Sequence, residues 1–133
     1  MHNNQSAFNL VELLLVLAIV SVMLAMAVPT WRQHQFAAGR QQAWLQLQGL
    51  ALQQQMWHLQ QGHYFPDLDA VKSTLDQQRY SYQVNLTETG FLLSATINAH
   101  GPQAQDTRCW QLTLADTGKV KSLGKGGEIQ VCK

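Results

Sequence analysis

Three sets of residues in this chain could do chemistry. The first is a single carboxylate, Glu12, at the lip of an apolar run. Fifteen of the sixteen residues from Leu13 to Val28 are apolar, Ser21 being the exception. A carboxylate in lipid costs roughly 2.5–3.5 kcal/mol at a helix centre and less near an end, so one retained there implies a purpose. The second set is the cysteine pair, Cys109 and Cys132, which enclose 22 residues. In an exported protein they read as one disulfide, worth about 3 kcal/mol by the loop-entropy model. In a cytosolic protein they read as two buried thiols. The third set is the histidines, His2, His34, His58, His63 and His100. None stands at ligand or triad spacing from a Cys, Asp or Glu, and Gly124-Lys125-Gly126-Gly127 lacks the spacing of a phosphate-binding loop. The residues therefore point away from an enzyme and imply no metal and no cofactor.

The elements that position these residues follow from periodicity. Phe8 to Val28 is 21 residues, which as helix spans about 30 Å and matches a bilayer. A soluble core helix would not be apolar all round. A secretory signal would begin with basic residues and carry a shorter apolar stretch. Export follows, and with it the disulfide reading of Cys109 and Cys132. Pro29 lacks an N–H, so it kinks the helix or marks a membrane exit, and Trp31 falls where an interfacial indole is expected. From Thr30 to Gln61 apolar residues recur at helical spacing. Ala43, Leu47, Leu50 and Trp57 form one edge of a stripe; Leu45, Leu52, Met56 and Leu59 form the other. Trp44 and Trp57 are expected in the core. Gly62 should stop the helix.

Beyond Gly62 the chain turns, with one or two helical turns expected in Asp69–Leu75. The period then changes to two. Strands are expected at Tyr80–Leu86, Phe91–Asn98, Cys109–Leu114 and Lys119–Leu123, with a reversal at Gly124–Gly127 before Ile129–Cys132. Consecutive hairpins give an antiparallel meander, and a long helix on one face gives an α+β fold of about four strands. Without the helical stretch through Gln61 the chain leaves about 70–75 residues for a core, which is marginal without a staple. Net charge is +1 overall, but Arg108, Lys119, Lys121, Lys125 and Lys133 outnumber Asp106, Asp116 and Glu128 after Gln105.

Ala7-Phe8-Asn9-Leu10-Val11-Glu12-Leu13-Leu14-Leu15 resembles the class III signal of type IV pilins and pseudopilins. The resemblance implies cleavage between Ala7 and Phe8 by a prepilin peptidase, N-methylation of Phe8, and a contact between Glu12 and the terminal amine of a neighbouring subunit during filament assembly. It also implies three segments: a leader at 1–7, a transmembrane and filament-core segment at 8–29, and a periplasmic globular domain at 30–133. Two features depart from the family pattern: Ala7 replaces the usual Gly, and the leader carries no basic residue. Orientation thus rests on the motif rather than on flanking charge.

Gln105-Asp106-Thr107-Arg108-Cys109-Trp110-Gln111-Leu112-Thr113-Leu114, then Asp116-Thr117-Gly118-Lys119 and Cys132, resemble the PilE/ComP-type minor pilins. This implies a non-enzymatic filament subunit whose partners are other pilins. It would sit first in the bacterial inner membrane and then in a surface pilus. An alternative is a DNA-uptake receptor that uses Arg108, Lys119, Lys121 and Lys125 as a phosphate-contacting strip. A further alternative, a type II secretion pseudopilin, would call for clustered carboxylates around calcium, whereas Asp106, Asp116 and Glu128 are scattered.

Overall fold

The computed structural model describes residues 9–132. Ala7 and Phe8, the expected cleavage pair, lie outside the described residues. The chain divides into two units, Met1–Gln35 and Phe36–Lys133. Helix α1 is assigned over Leu10–Gln61, including Pro29.

In the first unit α1 opens on Asn9, whose carbonyl accepts the N–H groups of Glu12 (2.9 Å) and Leu13 (3.3 Å). Glu12 stands in the first turn, where the helix dipole favours a negative charge. Its apolar stretch has a mean hydropathy of 2.7 with none of it buried, and by length and composition it can cross a membrane. Pro29 removes the N–H that would bond Ala25, yet the helix continues past it. Thr30 Oγ1 donates back to the Met26 carbonyl at 3.3 Å in the same turn.

In the second unit the helix buries Gly39, Ala43, Leu47, Leu50 and Gln54, a narrower stripe than the pattern predicts. Leu45, Leu52, Met56 and Leu59 are exposed. A helix meeting one sheet covers one arc only, and the second edge of the stripe lies outside it. Trp57 is also a correction: it is 42% exposed and meets Phe65 edge-on at 6.2 Å, while Trp44 packs at the core margin. The place expected for Trp57 is taken by Gln54, fully buried. Its Nε2 donates to the Phe65 carbonyl (2.9 Å) and its Oε1 accepts the Phe65 N–H (3.0 Å). The amide thus satisfies a turn backbone that would otherwise be orphaned. Gly62 ends the helix with φ 77° and donates to the His58 carbonyl at 2.8 Å, a left-handed cap that suits glycine.

Four strands follow: β1 (Tyr80–Leu86), β2 (Phe91–Ile97), β3 (Gln111–Ala115) and β4 (Val120–Leu123). They form one antiparallel sheet in the order β1-β2-β3-β4. The inward residues Tyr80, Phe91, Leu93, Ala95, Ile97, Leu112 and Leu114 meet Ala43, Leu47 and Leu50 of the helix, closed by Leu68. Burial pushes the Tyr80 and Tyr82 hydroxyls well above the ordinary tyrosine range. Between helix and sheet, Lys72–Thr74 forms a single 3-10 turn.

The third strand begins later than expected. Cys109 belongs to a second 3-10 turn, Thr107–Cys109, because Trp110 keeps helical backbone angles before the chain extends at Gln111. Ile129–Cys132 is not a full strand. It touches β4 through a Leu123–Ile129 bridge and two Ser122–Gln130 hydrogen bonds, one from the Gln130 N–H and one from the Ser122 hydroxyl. This covers part of the free edge of β4.

Candidate nucleic-acid interface

Cys109 and Cys132 are joined as a disulfide, with Cα atoms 5.9 Å apart. The bond ties the Thr107–Cys109 turn to the C-terminal segment, so Arg108 stands on a pinned piece of backbone. Lys125 is brought beside it. Its N–H donates to the Thr107 carbonyl at 2.9 Å, and its Nζ lies 5.0 Å from the centre of the Trp110 ring. A cation over an indole face is worth about 0.5–1 kcal/mol at an exposed site, enough to bias where the lysine rests.

Of the other two candidate cations, one is on β4 and one in the turn before it. Lys121 pairs with Thr113 on the face of the sheet away from the core. Lys119 sits in the β3–β4 turn, where its carbonyl accepts the Ala115 N–H at 3.0 Å. Five residues, a reach of about 20 Å at most, separate it from Lys125. The structure therefore brings the backbones of Arg108 and Lys125 together and leaves Lys121 on β4 and Lys119 in the turn before it.

The carboxylates nearby do not gather. Asp106 is buried and paired with Arg40. Asp116 accepts the Thr117 N–H through Oδ1 at 2.9 Å. Glu128 lies against Gly124 and Gly126, where a Cβ would collide with its carboxylate. Among the described residues no group of three or more His, Cys, Asp or Glu side chains could hold a metal ion.

The Asp106 contact is the feature that sequence reasoning missed. Arg40 Nε donates to Asp106 Oδ2 at 2.7 Å and Nη2 to Oδ1 at 2.8 Å, the bidentate fork that suits guanidinium and carboxylate. The hydrogen bond to Asp106, against a smaller cost of burial, holds the Arg40 guanidinium above its ordinary range. Gln103, fully buried, completes the cluster. Its Nε2 donates to Asp106 Oδ2 (3.0 Å) and to the Phe36 carbonyl (2.9 Å), and its Oε1 accepts from Arg79 Nη1 (3.1 Å). Gly39 makes room: a Cβ there would stand 2.3 Å from Gln103 Oε1. The one signal available in the sequence was the Asp three residues before Cys109, and its partner lies 66 residues away.

Removing the disulfide has a direct cost. Cys109→Ser, or reduction of the native protein, is expected to lower stability by about 3 kcal/mol and to lower the thermal midpoint measured by circular dichroism. Free thiols in the native protein, with no loss on substitution, would refute the structural role.

Two families match this chain. Residues 29–113 match the family described as "Type IV minor pilin ComP, DNA uptake sequence receptor", well over half the sequence. Residues 2–28 match the prokaryotic N-terminal methylation motif. No curated protein matches. The first match includes Arg40, Asp106, Arg108 and Cys109 and stops short of Lys119, Lys121, Lys125 and Cys132.

Proposed function

We propose, from the premise that the chain belongs to the ComP family of type IV minor pilins, that this minor pilin carries a duplex-DNA contact surface on the pilus. The family is one of structural subunits, not enzymes. Its members assemble with other pilins, and the methylation motif with its apolar helix fits a membrane-anchored subunit destined for a surface filament. The reading proposed for this chain is more specific. The prepilin peptidase cuts between Ala7 and Phe8 and methylates Phe8. Residues 8–29 hold the subunit in the inner membrane and then enter the filament core, with residues 30–133 on the periplasmic side.

Packing against neighbours has a ready surface. Leu45, Leu52 and Leu59 recur at seven-residue intervals on the exposed side of α1, with Met56 between them and Gly49 open to approach. That spacing suits a helix–helix seam.

The observation that carries the DNA reading is the Arg108–Lys125 pair, fixed by the disulfide, the Thr107 carbonyl and the Trp110 ring. Two cations on neighbouring, pinned stretches of backbone give phosphates a place to bind. The test is duplex binding by the full chain in detergent across a salt series. If three phosphates are neutralised, affinity should fall roughly 40-fold between 50 and 200 mM salt. Replacing Arg108 and Lys125 together by Ala should flatten the log–log slope by about 1.8. No retention of any duplex at low salt would sink this reading.

A further inference from the structure

The sheet is unusual in its charge. Across β1, β2, β3 and β4 there is no Asp and no Glu, and the only charged residue is Lys121. The strand register places Gln83, Ser94, Thr113 and Lys121 side by side in one row, each paired with the next. At about 4.8 Å per strand the row is about 14 Å across. This row lies on the face opposite Leu93, Leu112 and Leu114, which fill the core. The adjacent row holds Thr96 paired with Gln111, and Gln111 Nε2 donates to Thr96 Oγ1 at 3.2 Å. That bond fixes the plane of the Gln111 amide.

This face therefore carries amides and hydroxyls around Leu92, Ala115 and Leu123, with Ser94 buried among them, and is bordered along β4 by a cation. Its chemistry selects its occupant. A cationic partner would need carboxylates, and the face has none. A polyanion whose edges offer both donors and acceptors fits it. Duplex DNA is such a ligand, its base edges presenting both donors and acceptors. Ser, Thr, Asn and Gln contact phosphate and sugar, while Gln pairs through two bonds with the adenine edge.

We infer that the outer face of the sheet is the base-reading half of the DNA site, with Gln83 and Gln111 supplying base-edge contacts and Lys121 a phosphate contact. The inference rests on the DNA-receptor reading and adds a division of labour to it: the Arg108–Lys125 pair anchors the backbone, and the sheet discriminates sequence.

The experiment uses the full chain in detergent. A duplex library with a randomised centre is selected on the wild-type chain, and affinities are measured for the preferred duplex and its single-base variants. Gln83→Ala and Gln111→Ala should each shrink the best-to-variant affinity ratio at one position by about tenfold, with the salt slope unchanged. The Arg108→Ala, Lys125→Ala protein should do the reverse, lowering the slope and leaving the ratio. In the wild type, bound duplex should protect Lys121 from acylation. Equal ratios in the glutamine variants, no sequence preference in the wild type, or an unprotected Lys121 would overturn the inference and leave the Arg108–Lys125 site standing. A wild-type chain that retains no duplex would overturn both. Circular dichroism of each variant guards against loss of fold, and the protection measurement needs no variant.

Discussion

Asp106→Ala is expected to destabilise the globular unit by about 3 kcal/mol, because breaking a buried ion pair strands the partner's charge. The geometry supports that size. Asp106 is 3% exposed, accepts both arms of Arg40 and is touched by a fully buried Gln103. With the carboxylate gone, the Arg40 guanidinium loses its bidentate acceptor and the Gln103 amide one of its two. Arg40→Ala should cost a similar amount, and the double variant should cost less than the two together. Asp106→Asn keeps one acceptor and should fall between. Denaturant titration followed by tryptophan fluorescence measures all four. A loss below about 1 kcal/mol for Asp106→Ala would mean that the pair behaves like an exposed one.

Glu12→Ala should leave insertion in the membrane unchanged and reduce incorporation into filaments by an order of magnitude or more. The carboxylate sits in the first turn of an otherwise apolar segment. Alone in lipid it is a liability of up to roughly 3 kcal/mol; in the proposed assembly, opposite a neighbour's new terminal amine, it would become one half of a charge pair. Removing it takes away the polar mark that distinguishes one register of an apolar array from another. Glu12→Asp should retain part of the effect, since the charge survives on a shorter arm. Immunoblots of membranes and of pili detached from cells provide the two readouts. Normal amounts of the alanine variant in detached pili would refute the register role.

Much of this fold was legible because it is local. The alternation of Tyr80–Leu86, the turn at Thr87–Gly90 and the glycine stop at Gly62 are signals carried by neighbouring residues, and the structure has all three. The disulfide was legible for a different reason: the apolar N-terminal stretch argues for export, where two cysteines pair. What was hidden depends on distant partners. Gln54 looked like part of a polar helix face, and it is buried because the Phe65 backbone needs its amide. Asp106 reads as one of three scattered carboxylates, and Arg40 carries no sign of a partner in its neighbours. Only the folded chain brings them together, and nothing in the local pattern of either residue announces the other. The helix stripe was read too wide for a related reason. Apolar residues at helical spacing do not reveal which of them face the sheet and which stay exposed at Leu45, Leu52 and Leu59. For the cations, spacing alone could not separate Lys119 from the pair at Arg108 and Lys125.

The Arg40–Asp106 pair also has a mechanical meaning. A subunit held by its helix and tugged by a bound ligand must carry tension between the two. A pull at Arg108 enters the chain two residues from Asp106, and from there the shortest path runs straight into the helix through Arg40. The disulfide and the hydrophobic contact of Leu47 and Leu50 with the sheet act in parallel. Load therefore bypasses the β-hairpins, which would peel one hydrogen bond at a time. It falls instead on contacts that have to fail together.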